Sequence, residues 1–208
     1  MEKLTGKTDH FVFLHSLQSA GLTGDWLPFN QSEWIREVLH GGLPTRSRFA
    51  TGICNEMSVW MMTKWVKEGP SSQYISQLNS STVAQTIVDY ADGRDSAPGS
   101  VQSDYDYFAY LMSRQHIGTS HQSMVYDATS KAFADVKNLG NCGICMHPSG
   151  AGDGHTIICN AKYNCVFDPN LGFIRTKHAA DLEIVLNTIA NTRYPELTKG
   201  IIGVVNCK

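Results

Sequence analysis

Apolar side chains recur at helical spacing in the stretch that begins just after residue 54. Met57, Met61 and Trp65 are four residues apart and therefore lie on one stripe of a helix. The neighbouring row is largely apolar as well, and Gly69-Pro70 follows, a pair that ends helices. The pattern predicts an amphipathic helix over residues 55–67.

The remaining pattern divides the chain into a helical first part and a strand-rich second part. Further helices are predicted over residues 11–20, 33–39, 82–90, 105–114, 131–137 and 179–192. After Gly140 the chain changes to short β-rich runs bounded by Gly, Pro and Asn, which predict strands over residues 142–146, 156–159, 164–167 and 201–205. The sequence therefore indicates an α+β fold in which most helices come first and an antiparallel sheet forms late.

The length of 208 residues allows one substantial hydrophobic core. Residues 1–40 show only short helical possibilities and are predicted to be a poorly defined N-terminal extension. Residues 41–208 contain the stronger patterns and are predicted to form one folded domain. Within it, residues 92–103 are rich in Gly, Ser and Asp and are predicted to be a loop.

Composition narrows the possible partners and compartments. Apolar residues make up 42% and charged residues 17% of the chain, which fits a compact globular protein. The net charge is −2 and no run of Lys or Arg occurs, which argues against a nucleic-acid partner. No apolar run approaches the ~18–20 residues of a membrane span, and Phe11–Leu14 is too short for a signal peptide. The protein is therefore expected to be cytosolic or exported without a Sec signal, with its six cysteines mostly reduced.

Cys54 stands where the first predicted helix begins, a position that suits a catalytic thiol. A free cysteine has a pKa of about 8.5, and the unpaired N–H groups of a helix N-terminus favour its ionised form. Gly52 allows the backbone to approach a substrate closely, whereas the negative charge of Glu56 partly offsets the benefit for a thiolate. Burial as a small apolar residue is the commoner role of a cysteine. The assignment of Cys54 as a nucleophile therefore depends on the second half of the chain.

His155 stands at the start of one predicted strand and Asp168 at the end of the next. A hairpin with a two- or four-residue loop centred on Ala161 and Lys162 would set His155 directly opposite Asp168, with Cβ atoms ~4.5–5.5 Å apart. At that distance the carboxylate can accept a hydrogen bond from the imidazole and fix its tautomer. A loop of odd length would shift the pair by one residue.

Three segments carry a resemblance to a known family. They are Gly52-Ile53-Cys54 with Ser58 and Trp60 in the following helix, Gly154-His155 before a strand, and Phe167-Asp168-Pro169-Asn170-Leu171-Gly172. In order and residue type they resemble the YopT/AvrPphB family of bacterial effector cysteine proteases. The resemblance covers residues 50–206 and implies a papain-like cysteine protease domain over residues 41–208. It also implies Cys54 as nucleophile, His155 as base and Asp168 as the residue that orients the base.

The segment before Cys54 departs from the pattern of papain-like enzymes. Those enzymes commonly supply part of the oxyanion hole from a Gln or Asn side chain a few residues before the cysteine, and residues 43–53 contain neither. The backbone N–H of Cys54 is one expected donor. The sequence assigns no second donor.

The resemblance implies a secreted bacterial effector that reaches a host cell and cleaves a host protein there. The expected partner is this protein substrate, and no cofactor or metal is expected. Two other enzymes fit the same residues: a glutamine deamidase, which also proceeds through a thioester, and an interbacterial amidase that cuts peptidoglycan. A non-enzymatic alternative is an interaction module stabilised by zinc bound to Cys142, Cys145, Cys159 and Cys165.

Overall fold

The computed structural model describes residues 6–40, 52–127, 132–148 and 153–206. The helices in these ranges are α1 Gly6–Ser19, α2 Gln31–His40, α3 Cys54–Glu68, α4 Tyr74–Gln77, α5 Ser81–Asp92, α6 Asp104–Arg114 and α7 Asp181–Arg193. Short 3-10 segments cover Gly93–Ser96 and Ala132–Asn138. The strands are β1 Gly24–Pro28, β2 Gly118–Asp127, β3 Asn141–His147, β4 His155–Asn160, β5 Cys165–Asp168, β6 Gly172–Thr176 and β7 Lys199–Asn206.

The strands form one sheet in the order β1-β6-β5-β4-β3-β7-β2. The neighbouring strands run antiparallel at each of these pairings. The mixed helical and antiparallel architecture predicted from the sequence is confirmed. Strands β4 and β5, which carry the predicted base and its carboxylate, lie in the interior of the sheet, where strands on both sides hold them in register.

The two faces of the sheet bury separate hydrophobic cores. Because side chains alternate between faces along a strand, Ile157 of β4 packs with α7 while Ile158 packs with α3. Helices α3, α5 and α6 cover one face, and α1 and α7 cover the other. Helix α3 is buried on nearly all sides, including at its polar residues Asn55, Ser58 and Thr63, because the sheet, α5 and α6 enclose it.

Several elements differ from the sequence-based expectation. The helix predicted over residues 131–137 is the 3-10 segment Ala132–Asn138, and residue 131 lies outside the described residues. Strands β1, β2 and β6 were not predicted. Strand β1 is mostly exposed and contains Asp25 and Pro28, so it lacks the alternating apolar pattern that marks a strand.

The described N-terminal residues are integrated into the sheet. Strand β1 pairs with β6 along its length, from Gly24 opposite Thr176 to Pro28 opposite Gly172. Gly172 has a φ of +108°, and a Cβ atom there would lie 2.1 Å from the carbonyl oxygen of Leu27. This glycine is therefore required where β1 approaches β6. The boundary placed between residues 40 and 41 stays a prediction, since residues 41–51 lie outside the described residues.

The four cysteines considered as zinc ligands are divided between the two faces of the sheet. Cys142 and Cys159 are buried on the α7 side, whereas Cys145 and Cys165 are buried on the α3 side. A single four-cysteine site does not fit this arrangement. Within the described ranges, no group of three His, Cys, Asp or Glu side chains is placed to hold a metal ion. None of the helices there combines the length and apolar character that crossing a membrane requires.

Candidate active site

Helix α3 begins at Cys54, one residue earlier than the pattern predicted. Ile53 precedes it and has no side-chain oxygen to accept from the first-turn N–H groups. These groups carry the positive end of the helix dipole, so they favour negative charge at the first residue. Cys54 is partly exposed, as a nucleophile must be, while most of the helix behind it is buried.

A hydrogen bond fixes the nucleophile helix to the strand that carries His155. The hydroxyl of Ser58 donates to the carbonyl oxygen of Thr156 at 3.0 Å, and the Ser58 side chain is fully buried. Ser58 is one helical turn after Cys54, and Thr156 directly follows His155. This contact therefore sets the distance between the two groups of the predicted nucleophile–base pair.

His155 and Asp168 are in direct contact, with 3.1 Å between Nε2 and Oδ1. The predicted register of the hairpin was nevertheless wrong by two residues. Ile158 pairs with Phe167, so the loop covers residues 161–164, and His155 is a diagonal neighbour of Asp168 rather than its direct partner. A shift of two keeps both side chains on the same face, because side chains alternate with a period of two.

Asp168 is held by two further donors that the sequence analysis did not identify. Its Oδ1 accepts from the backbone N–H of Asn170 at 2.7 Å and from the hydroxyl of Tyr194 at 3.1 Å. The Tyr194 hydroxyl in turn accepts from Nδ2 of Asn170 at 2.9 Å. Asp168 is fully buried, so these bonds stabilise a carboxylate that has lost its water. The Asp-Pro-Asn sequence favours such a side-chain turn, whereas no local pattern pointed to Tyr194.

Tyr194 also supports the ring of His155. The two rings stack with centroids 4.2 Å apart and planes 27° from parallel. The carboxylate and the stacked ring together restrict the rotation of the imidazole. Because Nε2 is engaged by Asp168, Nδ1 is the ring nitrogen that remains for other contacts.

The charges around His155 favour its protonated form. Burial alone would lower the pKa of His155, but the charge of Asp168, the charge of Cys54 and hydrogen bonds to both outweigh it. Together they raise the pKa from the ordinary 6.5 to about 10. The arrangement therefore favours an imidazolium at His155 at neutral pH.

A cavity of about 250 Å³ opens beside Cys54. Its lining consists of Gly52, Cys54, Asn55, Glu56, Arg94, Asp104, Asp153 and Gly154. Arg94 forms an ion pair with Asp104, which leaves an excess of carboxylates in the cavity wall. Burial, opposed mainly by a hydrogen bond from its own backbone N–H and by Arg94, raises the pKa of Glu56 to about 7. The negative charge of the cavity therefore changes near neutral pH.

Two other cysteines and one other histidine that could be considered as catalytic groups lie in different surroundings. Burial raises the pKa of Cys165 to about 12 and the pKa of Cys145 still higher. Both thiols are therefore neutral near pH 7. His147, an alternative base, is exposed, and its Nδ1 lies 3.1 Å from the carbonyl oxygen of Pro148.

The crystal structure of AvrPphB, a Pseudomonas avirulence protein, is similar with a TM-score of 0.60 over 79% of this chain and 96% of that chain. The chain has the fold of AvrPphB. Sequence identity with AvrPphB is 14%, and a likeness at this level of identity shows the fold alone. The resemblance to the YopT/AvrPphB family is therefore confirmed at the level of the fold. No family model matches the chain, and no curated protein matches its sequence significantly.

Proposed function

We propose that this protein is a cysteine protease in which Cys54 is the nucleophile, His155 the acid and base, and Asp168 the residue that orients His155. The observation that supports this best is the chain of contacts from Cys54 through His155 to the buried carboxylate of Asp168. The fold shared with AvrPphB and the position of Cys54 at a helix N-terminus support it further.

In the acylation step, the Cys54 thiolate attacks the carbonyl carbon of the scissile amide. The carbonyl oxygen becomes an oxyanion, which the backbone N–H of Cys54 can stabilise. His155 then gives its Nδ1 proton to the nitrogen of the leaving amine, the C–N bond breaks, and a thioester to Cys54 remains. Asp168 accepts from Nε2–H throughout and so keeps the ring oriented.

In the second step, neutral His155 removes a proton from a water molecule. The hydroxide attacks the thioester carbonyl, and the C–S bond breaks to release the carboxylic acid. Cys54 leaves as a thiolate and His155 is again an imidazolium, so the ion pair is restored. The high pKa of His155 favours the return of the proton to the ring.

The substrate is proposed to be a protein of a host cell into which a bacterium delivers this protein. The resemblance of the three sequence segments and the AvrPphB fold support this role. The excess of carboxylates in the cavity wall favours positively charged or hydrogen-donating groups next to the scissile bond.

The test is to incubate the purified protein with a eukaryotic cell lysate and to identify new protein N-termini by mass spectrometry. We expect N-termini that appear with the wild type and are absent with Cys54→Ala and His155→Ala. His178→Ala removes an exposed histidine and is the matched control that should cleave normally. Cleavage that persists in Cys54→Ala would contradict the proposal. A glutamine whose mass rises by about 1 Da without cleavage would instead identify a deamidase acting through the same thioester.

A further inference from the structure

The amide of Gln31 is buried next to the nucleophile, although Gln31 belongs to a different element from Cys54. Gln31 is the first residue of α2 and is 6% exposed. Its backbone N–H donates to the carbonyl oxygen of Pro169 at 2.8 Å, in the turn directly after Asp168. The start of α2 is therefore fixed to the segment that carries the carboxylate of the proposed triad.

The orientation of this amide follows from its hydrogen bonding. The backbone N–H of Ile53 lies 3.2 Å from Oε1 of Gln31. Since an N–H group can only donate, the oxygen end of the amide faces Ile53 and the Nε2 end faces away from it. None of the hydrogen bonds between described residues uses Nε2 of Gln31, so its two N–H groups are available to a ligand.

The available N–H groups lie next to Gly52, two residues before Cys54. A Cβ atom on Gly52 would be 3.4 Å from Nε2 of Gln31, and Gly52 lines the cavity together with Cys54. Gly52 has a φ of +97°, a conformation that favours glycine. A side chain at residue 52 would therefore begin in contact with the Gln31 amide, and glycine leaves that contact out.

A tetrahedral intermediate on Cys54 needs more than one donor for its oxyanion, and residues 43–53 supply no Gln or Asn side chain for this purpose. We propose that Nε2 of Gln31 is the second donor of the oxyanion hole, beside the backbone N–H of Cys54. The donor comes from the N-terminus of α2 and is oriented by the N–H of the residue before the nucleophile. This assignment rests on the proposed function.

The test compares two reactions of Cys54 that differ in their need for an oxyanion hole. Acylation by p-nitrophenyl acetate passes through an oxyanion, whereas alkylation by iodoacetamide needs only the thiolate. Gln31→Glu keeps the oxygen that accepts from Ile53 and removes the N–H donors. We expect acylation of Cys54 to slow by about 10²–10³-fold and alkylation to change by less than about twofold.

Two further variants make the comparison specific. Gln18→Glu makes the same chemical change at an exposed position of α1 and should leave both rates unchanged. Gln31→Met removes donor and acceptor without adding charge, and it decides the question if Gln31→Glu does not fold. Unchanged acylation, or an equal slowing of both reactions, would overturn the oxyanion role. Failure of wild-type Cys54 to react with either reagent would instead overturn the proposed function itself, and this assignment with it.

Discussion

Asp168→Asn removes the negative charge of the carboxylate and keeps its shape. Oδ1 accepts from Nε2 of His155, the backbone N–H of Asn170 and the hydroxyl of Tyr194, and an asparagine oxygen can accept the same three bonds. The new amide nitrogen takes the place of Oδ2, which has no partner among the described residues. We therefore expect the variant to stay folded with His155 near its present position.

The size of the effect follows from the pKa of His155. With a pKa of about 10, nearly every imidazole is protonated at pH 7 in the wild type. Without the charge of Asp168, burial still lowers the pKa while one of the main contributions that raise it is lost, so the pKa of His155 should fall and the ring should lose its proton at a lower pH than in the wild type. Alkylation of Cys54 should then slow over the pH range in which the ring of the variant has lost its proton and the ring of the wild type has not, since the sulfur lacks its positive partner there. Turnover should fall further, by about 10²–10⁴-fold, because each catalytic step needs the oriented imidazole.

The alkylation rate of Cys54 and the catalytic turnover can be measured on the same preparation. Iodoacetamide rates at a series of pH values, read by intact mass, give the pH dependence of the thiolate, and p-nitrophenyl acetate turnover gives the catalytic loss. Asp25→Asn removes a carboxylate from the exposed strand β1 and should change neither. An Asp168→Asn variant whose alkylation keeps the pH dependence of the wild type and whose turnover stays within tenfold of it would refute the role given to this charge.

Further predictions concern reactivity and stability. Iodoacetamide at about pH 6 should label Cys54 before Cys165, because burial raises the pKa of Cys165 to about 12. Peptide mapping that finds Cys165 labelled first would contradict this prediction. Burial raises the pKa of Glu56 from its ordinary 4.5 to about 7, so between these values the folded protein holds a proton that the unfolded chain has lost. The melting temperature should therefore fall as the pH rises from about 4.5 to about 7. Glu56→Gln should flatten this part of the plot of melting temperature against pH. Gly172→Ala should destabilise the protein by roughly 2–3 kcal/mol or more by steric overlap and backbone strain. Gly69→Ala, which has a positive φ but open space around it, should cost about 1 kcal/mol in the same denaturation experiment.

The elements that could be predicted from the sequence are those whose own residues show a clear apolar spacing or a clear terminating signal. Helix α3 was recognised from its apolar spacing and its terminating Gly69-Pro70, because these signals are local. The pairing of β4 with β5 was expected, but its register was wrong by two. Hydrophobic alternation fixes which face a side chain occupies and not how far along the strand its partner lies. The contact between His155 and Asp168 could therefore be expected although its geometry differed.

The parts of the site that could not be predicted depend on contacts between distant elements. Tyr194 ends α7 and reaches Asp168 only because α7 packs on the sheet face that carries this carboxylate. Gln31 approaches Gly52 only because α2 is fixed to the turn after Asp168. Neither residue has a local motif, and a single sequence contains no direct signal of such tertiary contacts.

The strand order has a consequence for how the chain folds. Strand β1 at one edge pairs with β6, and β2 at the other edge pairs with β7, so both edges join segments that are far apart along the chain. Closing such long loops before native contacts form is entropically costly, and proteins rich in these contacts fold on the millisecond-to-second scale or more slowly. The β4–β5 hairpin is local, so His155 and Asp168 can come close early. Reactivity of Cys54 should appear only later, when α3 docks, and refolding followed by alkylation should show this delay.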